Sequence, residues 1–182
     1  PDALKVLQRV FVSDMSKVKE GRVKYSAMCN EDGCVIDDGV VVKQGENDYY
    51  FTTSSGRAGQ TAEWLRYHTR YDGWDFAIIN LTDSMGVINL SGPNARKVLE
   101  KILDIDVSNE AFGYSEYKEF KINDTIPARA MRLGFVGELS YELHVPSSYM
   151  KAVWIMLKEA GKEFNIQNFG VEAQNVLRME KC

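Results

Sequence analysis

Two carboxylates stand side by side in an otherwise apolar, β-prone run, Cys34-Val-Ile-Asp-Asp-Gly-Val-Val-Val42. Side chains on a strand point alternately to opposite faces, so Asp37 and Asp38 cannot form a like-charge dyad, and both reach solvent only if the strand bulges. One of them is held on a side lined either by Ile36, Val40 and Val42 or by Val35 and Val41. A carboxylate kept there needs hydrogen-bond donors, a ligand or a shifted protonation state. Gly39 beside the pair removes a side chain and lets another group approach the backbone. Asp38, with Ile36 and Val40 on its face, is expected to be the desolvated member, able to accept a proton or to stabilise developing positive charge. The same residues are equally compatible with turn or cap carboxylates at a strand end.

Other chemical groups are sparser. In residues 134–146, Leu139, Tyr141, Leu143 and Val145 alternate with Ser140, Glu142 and His144. That is the pattern of a strand with one wet face, on which Glu142 would be solvated. His68 follows Trp64 and Leu65 on an apolar helix face and reads as a structural histidine. Of the three cysteines, Cys29, Cys34 and Cys182, the first two flank Asn-Glu-Asp-Gly and are expected as half-buried thiols across a hairpin turn. A zinc site would need two more ligands, and His68 and His144 lack the spacing to provide them, so no metal is expected. An odd, low cysteine count points to a reducing, cytoplasmic setting. No G-x-G-x-x-G, Walker loop or G-x-S-x-G elbow is present.

The elements that must carry these groups follow from periodicity. Helices are expected at 2–12, with Asp2 as N-cap, and at 58–71. Another should open at Ser91-Gly92-Pro93, with the stripe Ala95, Val98, Leu99, Ile102 and Leu103. A further one is expected after Ser147 as cap, with the stripe Met150, Val153, Trp154 and Leu157, ending at Gly161, and a last one at 171–180. Strands are expected at 22–29, 34–42, 48–53, 75–81, 86–90, 116–122, 125–133 and 139–145. Strands outnumber helices and hairpin connections dominate, which implies an α+β fold of two antiparallel sheets covered by helices. No linker separates the halves, so they are expected to share one core or exchange strands.

The 182 residues suffice for one large domain, or one of two lobes, without staples. A net charge of −4 with scattered basic residues argues against a nucleic-acid partner. No apolar run approaches the roughly 20 residues that span a bilayer, so no membrane role is expected. The chain opens on Pro1 and stops at Cys182 within a helical stretch, and is expected to be a piece of something longer.

Four segments in order resemble one family. Tyr25-Ser-Ala-Met-Cys-Asn-Glu-Asp-Gly-Cys-Val-Ile-Asp-Asp-Gly39 resembles the hairpin of the glycine-cleavage T-protein (aminomethyltransferase) superfamily. Leu90-Ser-Gly-Pro-Asn-Ala-Arg-Lys-Val-Leu99 resembles its strand-to-helix turn. Gly134-Phe-Val-Gly-Glu-Leu-Ser-Tyr-Glu142 resembles its G-Y-T-G-E-x-x-x-E motif, and Phe169-Gly-Val-Glu-Ala-Gln-Asn-Val-Leu-Arg-Met-Glu-Lys181 the helix that follows. Within the family the chain looks most like the T-protein-like part of the sarcosine oxidase alpha subunit, with dimethylglycine dehydrogenase nearby. Gln174-Asn175 replaces the Arg-Asp usual in T-proteins, so no catalytic role is carried over there.

The resemblance implies a tetrahydrofolate-binding domain of two interlocked β-α-β lobes, about 1–85 and 86–182, lacking the family's upstream segment and downstream barrel. It implies that folate lies between the lobes. Asp38 would then approach the reacting nitrogens, and Glu142 would hold the pterin edge from a cavity rather than bulk water. Tyr25 and Phe135 would take the positions of two family tyrosines. The implied activity is an aminomethyltransferase-type step of one-carbon metabolism. The one-carbon unit of a sarcosine- or dimethylglycine-type amine would pass to tetrahydrofolate, forming 5,10-methylenetetrahydrofolate. The partners implied are tetrahydrofolate and the other domains or subunits of a flavin-dependent amine oxidase or dehydrogenase. Self-association is expected where apolar surface lacks its neighbour. The alternatives are a non-catalytic folate-binding or assembly module and a folate-dependent demethylase.

Overall fold

The computed structural model describes residues 1–181 and divides between Thr82 and Asp83 into two units. Cys182 lies outside the described residues.

The first unit holds α1 (Ala3–Val10), β1 (Val23–Cys29), β2 (Val35–Lys43), β3 (Tyr49–Phe51) and α2 (Ala58–Thr69), with the strands antiparallel in the order β1-β2-β3. Asn30 closes the β1–β2 hairpin through its side chain, whose Oδ1 accepts from the N–H groups of Asp32 at 3.1 Å and Cys34 at 2.9 Å. Val6, Leu7 and Val10 form the inner stripe of α1 and join Phe11, Met15, Met28, Val41 and Leu65 in one core. Asp2 precedes α1 but does not cap it. Its Oδ2 accepts from the Asp75 N–H at 3.0 Å and its Oδ1 pairs with Lys5 at 2.8 Å.

The second unit holds β4 (Met85–Ser91), α3 (Ala95–Leu99), β5 (Tyr117–Ile122), β6 (Ile126–Met131), β7 (Ser140–Pro146), α4 (Met150–Ala160) and α5 (Val171–Glu180). Its four strands are antiparallel in the order β4-β7-β6-β5, so β7, last in sequence, lies inside the sheet. Asn123 and Asp124, both at positive φ, make the β5–β6 turn, as the twist of a tight hairpin demands. The inner face, with Ile88, Leu90, Tyr141, Leu143 and Val145, packs with Val98, Leu99, Val153 and Leu157.

Several expectations are corrected. Residues 75–81 are not a strand. Trp74, Phe76 and Ile78 do pack on the first core while Asp75, Ala77 and Ile79 stay exposed. Alternation sets which side chains go inward, but a strand also needs a neighbour to bond. α3 spans only five residues, with Asn94 at its N-cap and Pro93 ahead of it, although the whole stripe from Ala95 to Leu103 is buried. Ser147 opens a 3₁₀ turn rather than capping α4, and its hydroxyl donates to the Asp83 carbonyl at 2.9 Å. Trp154 is 44% exposed, since Val153 and Leu157 fill the buried stripe without it. Each sheet comes from one continuous stretch with its own core, so no strand is exchanged among the described residues. Local hairpins satisfy the strands before any exchange is needed. Among the described residues no helix is long and apolar enough to cross a membrane.

One contact limits the first unit sharply. A Cβ placed on Gly39 would lie 1.8 Å from the Thr52 carbonyl oxygen, a backbone atom. Thr52 is held there because its N–H donates to the Val40 carbonyl at 3.0 Å. Gly39→Ala is expected to destabilise the protein by about 3 kcal/mol, the upper range for overpacking. Urea unfolding of the variant beside the parent chain measures this.

Candidate functional site

The β1–β2 register decides where the two carboxylates go. Met28 stands opposite Asp37, and Ala27 opposite Asp38. Asp37 therefore shares a face with Met28 and Val41, both fully buried, and is itself only 7% exposed. Its Oδ1 accepts from the Asp38 N–H at 2.9 Å and the Ser54 N–H at 3.3 Å, and its Oδ2 from the Thr61 hydroxyl at 3.0 Å. Burial pushes this carboxyl up, but the hydrogen bonds from Ser54, Asp38 and Thr61 outweigh it and hold the group below the ordinary carboxylate value. The desolvated carboxylate is thus Asp37, contrary to the expectation for Asp38. The face carrying Asp37 is the one turned to α1 and α2, whereas Asp38, on the other face, is only partly buried.

Asp38 faces the other way, half-exposed. Tyr25 pairs with Val40, which makes Tyr25 and Asp38 diagonal neighbours within reach of a tyrosine side chain. The Tyr25 hydroxyl donates to Asp38 Oδ2 at 2.5 Å. That bond is the main reason the phenol is pushed above its ordinary value, with burial and the carboxylate charge adding to it. Asp38 Oδ1 accepts no hydrogen bond among the described residues. Tyr25 is 61% exposed, so the pair is open to a ligand.

In the second unit, β7 sets Glu142 opposite Asn89 on β4 and Met131 on β6. The Glu142 side chain is 26% exposed, with Oε2 3.8 Å from His144 Nε2. The expected wet face is largely closed. Ser140 and His144 are buried. Asn89 Nδ2 donates to Ser140 Oγ at 3.1 Å, and the Ser91 hydroxyl donates to Asn89 Oδ1 at 2.5 Å. Phe135, on the loop before β7, is 44% exposed, and the Arg178 guanidinium of α5 lies 4.8 Å from its ring centre.

Comparison with known proteins decides what frame this is. The family model described as the GCVT N-terminal domain matches residues 1–182. The chain belongs to the GCVT N-terminal domain family. It is 35% identical to the sarcosine oxidase subunit alpha of Corynebacterium sp. (strain P-1), over 99% of this chain and 19% of that one. It is 33% identical to the mitochondrial dimethylglycine dehydrogenase of Homo sapiens, over 100% of this chain and 21% of that one. In fold it matches the crystal structure of the glycine cleavage system aminomethyltransferase T of Bartonella henselae, with a TM-score of 0.81 and 23% identity over 99% of this chain and 46% of that one. This GCVT domain thus spans about a fifth of those two relatives, 19% and 21%.

Sequence reasoning missed some neighbours in the GCVT domain. Ser54 and Thr61, the donors to Asp37, are far from it in sequence and carry no local signal. Asn89 and Ser91 were findable, since they alternate with Ile88 and Leu90 on β4. Cys29 and Cys34 are free thiols, and a register shift after Met28 pairs Cys29 with Val35 rather than Cys34. His68 lies edge-on to the Trp64 ring at 4.1 Å and the Tyr67 ring at 5.1 Å.

Asp37 makes a pH-dependent contribution. Its folded-state pKa is depressed, so the stabilisation is fully present above the unfolded value of about 4 and is lost as pH falls through the folded value. Asp37→Ala is expected to cost about 1–3 kcal/mol at neutral pH, and the gap to the parent chain should narrow below about pH 4. Denaturant unfolding at pH 7 and near pH 3 measures both.

Proposed function

We propose that this aminomethyltransferase-type domain binds tetrahydrofolate and serves the transfer to it of a one-carbon unit from a sarcosine- or dimethylglycine-type amine. The observation that carries this reading is the Tyr25–Asp38 pair, a half-exposed carboxylate oriented through Oδ2 by an exposed tyrosine, with Oδ1 left for a ligand. The residues fit a folate. It offers basic nitrogens, adjacent N–H donors and a flat ring, and the chain offers an oriented carboxylate, a second partly enclosed carboxylate and an exposed aromatic ring.

When bound, tetrahydrofolate would supply the two nitrogens that a formaldehyde-level carbon bridges in 5,10-methylenetetrahydrofolate, the demethylated amine (or water, from free formaldehyde) being released. Asp38 accepts the proton lost from one of these nitrogens and, as an anion, stabilises positive charge developing beside it. Tyr25 fixes the carboxylate's rotamer by donating to Oδ2. Glu142 accepts from adjacent N–H donors through its two oxygens, in the fork geometry that makes charge-assisted pairs strong. Phe135 offers the ring face not covered by Arg178.

The oxidation that yields the one-carbon unit belongs in this reading to a flavin site in another domain or subunit. Two relatives, a sarcosine oxidase subunit and a dimethylglycine dehydrogenase, support such a partner, as this chain matches only 19% and 21% of them. The exposed Val171, Val176, Leu177 and Met179 of α5 offer apolar surface for such a neighbour. The free thiols of Cys29 and Cys34 support a reducing, cytoplasmic setting.

Asp38→Asn keeps the shape and removes the charge. It is expected to leave folding and tetrahydrofolate affinity nearly intact while cutting one-carbon transfer by about two to four orders of magnitude. Asp37→Asn should lower stability more and transfer much less. Transfer is measured in the protein that carries both sites, and equal losses of transfer in the two variants would refute the role of Asp38. Glu142→Ala is expected to weaken tetrahydrofolate binding by about 2–3 kcal/mol in a direct titration.

A further inference from the structure

The chain carries a net charge of −4, yet one concave part of the first unit has the opposite sign. A cavity of about 770 Å³ lies between the segment after α1 and the start of β1, and Lys17, Lys19, Arg22 and Lys24 line it with a single acid, Asp14. Backbone bonds build both walls. The N–H of Val12 donates to the Ala27 carbonyl at 3.0 Å, and the N–H of Ser13 to the Ser26 hydroxyl at 3.1 Å, tying the outgoing segment to β1. Gly21, at φ 71°, then turns the chain back, with its N–H on the Lys43 carbonyl at 2.9 Å and the N–H of Arg22 on the Lys19 carbonyl at 3.1 Å. Met15 and Val18 point into the core, which leaves the cationic side chains around the rim.

Asp14 does not neutralise this set. Its Oδ1 accepts from the N–H and hydroxyl of Ser16, and its Oδ2 pairs with Lys17 at 3.1 Å. The side-chain ammonium groups of Lys19 and Lys24 make no hydrogen bond or ion pair among the described residues. No aromatic or amide side chain lines the cavity, so recognition there rests on charge rather than on a ring. Single exposed ion pairs are weak, whereas several cations around one concavity reward a ligand that carries several negative charges close together.

We infer that this cavity binds a multivalent anion, a set of neighbouring carboxylates or phosphates. The ligand is either the carboxylate-bearing end of the folate, which rests on the function proposed above, or a separate polyanion, which does not. Tripolyphosphate is the probe. Calorimetric titration of the 182-residue chain at low ionic strength should show binding that weakens as salt is added. The double variant Lys19→Gln, Lys24→Gln should bind it about tenfold more weakly. Both lysines are exposed, so the core is untouched. A second titration, of tetrahydrofolate with and without saturating tripolyphosphate, separates the sources. Competition assigns the anion to the folate, and unchanged folate affinity assigns it to a separate ligand. Failure of tetrahydrofolate to bind refutes the proposed function, while the tripolyphosphate arm still decides the site. No binding of tripolyphosphate, or equal binding to the double variant, overturns the inference.

Discussion

A carboxylate buried in a strand must be met by donors, and the donors to Asp37 come from three places: its own strand, the chain after β3, and α2. Satisfying one buried charge thereby locks β2, the return segment and α2 together. The Thr52 carbonyl passing over Gly39 is part of the same arrangement, since a larger residue there would lift the return segment off the strand. With Asp37 committed inward, strand alternation leaves Asp38 on the outer face, beside Tyr25.

Two adjacent residues of one type therefore do different work. Asp37 holds its charge because hydrogen bonds outweigh desolvation, and that charge is spent on the fold. Asp38 has one oxygen fixed by a tyrosine and one that accepts no hydrogen bond among the described residues. A group with few structural obligations can be aimed at a ligand, whereas one that satisfies three donors cannot turn away from them.

The second unit solves a similar problem with neutral groups. β7 lies between β4 and β6, and Ser140 and His144 are buried on its face opposite the main core. The side chains of Asn89, Ser91 and Ser140 satisfy one another in a short network. Glu142 sits one row along, partly enclosed and beside His144, in a setting where a charge-assisted contact is stronger than it would be in bulk water.

Much was determined by the sequence alone. Periodicity placed the hairpin around Asn30–Gly33, the buried stripe from Ala95 to Leu103, the strands of both sheets and the last helix, because each depends on residues close together in the chain. The pairing of Asp37 with Asp38 marked β2 as chemically unusual, and four short segments pointed to the T-protein superfamily. Only the tertiary structure decided which carboxylate is buried, since the choice depends on Ser54 and Thr61 arriving from 17 and 24 residues away. It likewise decided that β7 is an interior strand, that Ser140 and His144 are dry, and that residues 75–81 are not a strand. Alternation is a property of one segment, but burial on both faces and ladder bonding are properties of its neighbours, and one stretch of sequence does not name them.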